Sequence, residues 1–163
     1  MKLNIQRLNK TDYIKLLIPV LYGVLYYLVR DNVWGTAYYF VGWYLGVLLM
    51  FLDKNVLYKY YYESIHQKED KFARLVTRSI FFLLSYFGLS LFLITSSGSA
   101  LGMGLIMGIG LVLSFELWNS RNYVDFFNQY FIQSTKRWDQ VEITNFIRIF
   151  LAFYLIVSII SVI

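Results

Sequence analysis

The chain has no cysteine, one proline and one histidine in 163 residues. Without cysteine there is no disulfide, no thiolate metal site and no cysteine nucleophile, and nothing in the sequence fixes a redox compartment. The lone histidine, His66, cannot build a multi-histidine metal site from one chain, and its charged neighbours mark it as a solvated side chain. Charge is scarce as well: 15% of residues are Asp, Glu, Lys or Arg, where a soluble domain carries about 25%. No serine sits in a nucleophile-elbow context, no HExxH occurs, and no carboxylate pair at metal spacing lies inside an apolar run. These gaps point to a non-enzymatic protein without a cofactor.

What remains is apolar. Hydrophobic residues make up 58% of the chain and aromatics 20%, a composition that excludes disorder and an ordinary soluble domain alike. The expected class is an all-α polytopic membrane protein forming a single integral membrane domain over residues 1–163.

A bilayer crossing needs about 20 apolar residues. The pattern yields spans near 13–29, 36–52, 79–94, 100–117 and 145–163. The first follows a basic start, so a signal peptide competes with it. It lacks a small-residue cleavage pattern before Arg30, and a retained first span is expected, with Pro19 near its start. The third and fourth spans are short and flank a TSSGS turn at 95–99, which makes them a tight hairpin, either fully crossing or re-entrant. Between the spans, 53–78 and 119–144 mix charges with aromatics and read as cytoplasmic amphipathic segments.

Threading five spans sorts the charges. Of the fifteen Lys and Arg residues, all but Arg30 fall on one side. The positive-inside rule makes that side cytoplasmic, with the N-terminus in and the C-terminus out. The expected location is the cytoplasmic (inner) membrane of a bacterium. The net charge of +5 is thereby explained without nucleic acid.

Residues 94–117 are the most distinctive stretch. Gly98 and Gly102 are four apart, as are Gly104 and Gly108, with Gly110 four before Ser114. Small residues at this spacing let a neighbouring backbone approach closely. The face they make is an interface between subunits, the wall of a passage, or a packing surface for other spans, Gly42 and Gly46 included. GMGLIMGIG at 102–110 follows no strand and is no nucleotide loop. Intramembrane or interfacial charges mark functional candidates by default. Here they are Glu116, Arg148, Asp53 and Arg78, with pairing expected between Glu116 and Arg148 and between Asp53 and Arg78. Asn119, Asn122 and Asp125 recur at helical spacing as a polar stripe near the cytoplasmic face.

Two functions follow. One is an oligomeric membrane subunit or scaffold packing through the glycine-rich hairpin, with the lipid bilayer and further copies or other membrane subunits as partners. The other is a small homo-oligomeric channel or transporter for an ion or solute, lined by Gly102 to Gly110 with Glu116 and Asn119 at its mouth.

Overall fold

The computed structural model describes residues 10–57, 75–133 and 137–163. Among them every regular element is helical. Helix α1 spans Lys10–Arg30, and because it begins before the expected span, Pro19 falls well inside it rather than near its start. A two-residue link follows, with Asp31 in the left-handed region (φ 44°) and Asn32 accepting a hydrogen bond from the Gly35 amide at 2.9 Å. Asn and Asp tolerate that backbone region and cap helices well, so the sharp reversal suits both residues.

Helix α2 spans Val33–Leu52 and widens into a π turn at Asp53–Leu57. The rest of the expected amphipathic segment 53–78 lies outside the described residues up to Leu75. A 3-10 turn at Val76–Arg78 leads into α3, Ile80–Phe92, where the Ser79 side chain caps the Phe82 amide. A π turn at Leu93–Ser97 and Gly98 at φ 54° complete the reversal, and Ser99 caps α4, Ala100–Ser120.

The segment 119–144 is not one amphipathic helix. Short α5 (Val124–Phe127) runs into a π turn at Asn128–Ile132, and the last helix, α6, already starts at Gln140 and runs to Val162. Its start is fixed by a capping box: the Asp139 carboxylate accepts from the Glu142 amide while the Glu142 carboxylate accepts from the Asp139 amide. The Asn128 side chain closes the loop by donating to the Trp138 carbonyl at 2.8 Å and accepting from the Trp138 amide at 2.7 Å.

Among the described residues three helical stretches are long and apolar enough to cross a membrane: Val33–Val56, Ala100–Ser120 and Gln140–Val162. Leu17–Arg30 and Ile80–Ser96 are apolar but shorter. The arrangement is compatible with membrane insertion, and large apolar side chains such as Leu28, Phe81 and Ile159 stand exposed around it.

Side-chain contacts give the helix directions. Gly42 and Gly46 face the backbone around Leu101 and Leu105, and Gly104 and Gly108 face that around Tyr39 and Trp43, so α2 and α4 run parallel. Arg78 meets Glu116 while Tyr86 reaches Ile106, which sets α3 antiparallel to α4. Gln140 reaches Arg121 while Tyr154 reaches Met107, so α6 is antiparallel to α4 too. One end of the bundle therefore gathers the α1–α2 link, the 93–99 turn and the end of α6. The other gathers Asp53, Arg78, Glu116 and Gln140. Helix α4 is the central element, and its closest partner is α2 rather than its hairpin neighbour α3.

Candidate functional site

Glycine builds the centre. A side chain at Gly42 would strike the Leu101 carbonyl, and one at Gly46 the Leu105 carbonyl. Reciprocally, one at Gly104 would strike the Tyr39 carbonyl and one at Gly108 the Trp43 carbonyl. Each glycine thus meets the carbonyl three residues before the opposing glycine. The two helices form a near-symmetric parallel pair in which Cα–H groups lie against carbonyl oxygens. Gly110 lies on another face, where a Cβ would meet the Tyr86 hydroxyl and the Tyr154 ring. Those tyrosines fill the notch and donate to the Ile106 and Met107 carbonyls, each at 3.3 Å. Gly102 is only half-buried beside Leu93, and Gly98 is exposed in the turn.

At the charged end, Arg78 is the organising residue. Its side chain is 1% exposed, among the most buried of the described residues. Nε donates to Glu116 Oε2 at 2.8 Å and Nη2 to Glu116 Oε1 at 3.1 Å, a two-pronged contact. Nη1 reaches Asp53 Oδ2 at 3.2 Å, and both Nη atoms reach the Met50 carbonyl at 3.2 Å. The guanidinium fork suits this work because it serves a planar carboxylate and the Met50 carbonyl near the end of α2 at once. Thr77 donates to Asp53. Burial opposes the Arg78 charge, but hydrogen bonding to Glu116 and the nearby carboxylates outweigh it and raise the guanidinium above its ordinary range. Tyr130 stands beside the group; burial, aided by the Glu116 charge, pushes its phenol up.

The sequence expectations divide here. Asp53 and Arg78 are in contact. Glu116 is held by Arg78 instead of Arg148, which is exposed on α6. Arg148 lies two turns into α6 because that helix begins at Gln140, five residues before the expected start, and its register turns the side chain outward. Of the polar stripe, Asn119 borders a groove next to the clamp, whereas Asn122 and Asp125 are exposed past the end of α4. Asp125 and Arg137 approach to 3.9 Å, both highly exposed, a pair worth little.

Sequence reasoning missed Lys54, Thr77 and Tyr130. Lys54 Nζ lies 3.6 Å from Glu116 Oε1. Together with Glu116, Asn119 and Ser120 it forms the polar side of a cavity of about 440 Å3, and the rings of Tyr123, Phe126, Tyr130 and Phe131 form the rest. Phe126 and Tyr130 stack at 5.0 Å. The signal available for Lys54 was its place beside Asp53 at the end of an apolar run, where charges can pair across helix ends. Among the described residues no group of three His, Cys, Asp or Glu side chains is placed to hold a metal ion. The chain matches no protein-family model, no curated protein and no solved structure.

Proposed function

We propose that the protein is a non-catalytic integral membrane scaffold or subunit whose five apolar helices cross the bilayer as a closed bundle. The observation that carries this reading is the enclosure of α4. A channel would need Gly102 to Gly110 free to line a path. Gly104 and Gly108 are instead covered by the α2 backbone, and Gly110 is plugged by Tyr86 and Tyr154. The stretch 80–115 carries no Asp, Glu, Lys, Arg or His, so it offers no ionisable relay either. Since the glycine ridge is used within one chain, association with further copies or other membrane subunits falls to the lipid-facing sides of α1, α3 and α6. Positive-inside threading puts the Arg78 clamp and the N-terminus at the cytoplasmic face of a bacterial inner membrane.

Ion and small-solute flux through liposomes containing the purified protein tests the reading, with oligomeric mass measured in nanodiscs. No flux above protein-free liposomes is expected, with Glu116→Gln changing stability only. Flux that Glu116→Gln alters would make the protein a conduit and overturn the proposal.

A further inference from the structure

The cavity beside the clamp has the character of a ligand site. It lies at the ends of α2 and α4, where a membrane-spanning bundle meets lipid headgroups. At the same level Arg121 covers the exposed Trp118 ring at 3.9 Å, an interfacial pairing. Its two charges are opposite and unequally held. Glu116 is anchored by Arg78 and 18% exposed; Lys54 is 55% exposed and only 3.6 Å away. With its lysine exposed and the contact at 3.6 Å, the Lys54 side of the pair is weakly held and free to exchange. Its remaining wall is aromatic, suited to a glycerol and acyl stem and to the face of an ammonium.

We infer that this cavity holds the phosphoethanolamine headgroup of a membrane phospholipid, with its phosphate on Lys54 and its ammonium on Glu116. The inference rests on the membrane reading above. A zwitterionic headgroup carries the same two charges as the pair it opens, so every charge keeps a partner after exchange. A primary ammonium donates hydrogen bonds to the Glu116 carboxylate; a choline has no N–H to donate. A headgroup with phosphate and no amine would set its charge against Glu116. Asn119, at the rim, supplies an amide donor for phosphate.

The test uses the full chain in mild detergent, offered dioleoyl phosphatidylethanolamine, phosphatidylcholine or phosphatidylglycerol at equal mole fraction, with lipid retention read by native mass spectrometry. Phosphatidylethanolamine should be retained about tenfold over the other two, the scale of one charge-assisted hydrogen bond. Lys54→Gln, at an exposed position, should lower that retention about fivefold or more, as should Asn119→Leu to a smaller degree. Equal retention of all three lipids, preference for phosphatidylglycerol, or unchanged retention in Lys54→Gln would overturn the inference. Displacement of the lipid by free phosphoethanolamine at millimolar level would also overturn it, by making the ligand a soluble one. Extraction of expressing membranes with alkaline carbonate separates the two levels. Protein released into the wash defeats the membrane reading and the site together, while protein retained in the pellet but without lipid selectivity defeats the site alone.

Discussion

Arg78 shows how much one side chain can hold in place. It joins the end of α2, the start of α3 and the end of α4 through two carboxylates and a carbonyl. Removing one partner of a buried ion pair leaves the others uncompensated. Arg78→Leu should therefore cost about 3–5 kcal/mol of unfolding free energy in detergent, and Arg78→Lys should recover only part because ammonium lacks the fork. Tyr130 gives a second prediction. Its folded pKa is raised above the usual value of 10.0. The folded state then keeps a proton that the unfolded phenol releases, so this contribution is complete below about pH 10 and is lost as pH rises through the folded pKa. Denaturant unfolding of wild type and Tyr130→Phe across that range should show a shallower alkaline decline in the variant. The carboxylates of the clamp were visible in the sequence because charge is so rare beside the spans. Which arginine serves Glu116 was not, because that depends on the start of α6. The Asp139–Glu142 capping box carried the start, four and more residues before the apolar run that dominates the pattern.

Among the helices, the pairing of α2 with α4 gives a graded set of expectations for glycine. Gly46→Ile or Gly108→Ile pushes a branched side chain into the opposing backbone and should separate the two helices, with loss of folded protein in detergent or a cost of several kcal/mol. A methyl group at Gly88 would meet nothing within 4 Å, so Gly88→Ala should be neutral or stabilise by about 0.5–1 kcal/mol. Gly98→Ala lies between these, costing about 1 kcal/mol for the left-handed backbone alone. Thermal unfolding of the four variants side by side checks the order. Four-residue glycine spacing was legible on both helices from the start. Their mutual register was not, since Gly42 and Gly46 stood as one partner among several and small-residue spacing alone does not choose between them. The Gly110 notch was illegible for the same reason: Tyr86 and Tyr154 come from helices on either side of α4, and their rings look in the sequence like any other aromatic of the chain.

For the molecule as a whole, the helical class and the places of the apolar helices were readable because apolar runs of this length have few alternatives, and three of the described helices are long and apolar enough to cross a membrane. Span ends shifted by up to five residues where caps, rather than hydropathy, decide them. The packing contacts place the helix ends alternately at the two ends of the bundle, and the direction of that bundle in a membrane belongs to the proposed reading, which takes it from the basic residues. Since the natural chain has no cysteine, single cysteines report directly on this arrangement. The decisive measurement is labelling of cysteines at Val33, Ser96 and Ile163, and at Asn55, Asn122 and Val141, all exposed positions, by an impermeant maleimide on intact cells and after permeabilisation. The first three should label on intact cells and the second three only once the membrane is opened. Labelling of Val33 and Asn55 from the same side, or of all six on intact cells, would contradict a bundle that crosses the bilayer with its arginine clamp inside.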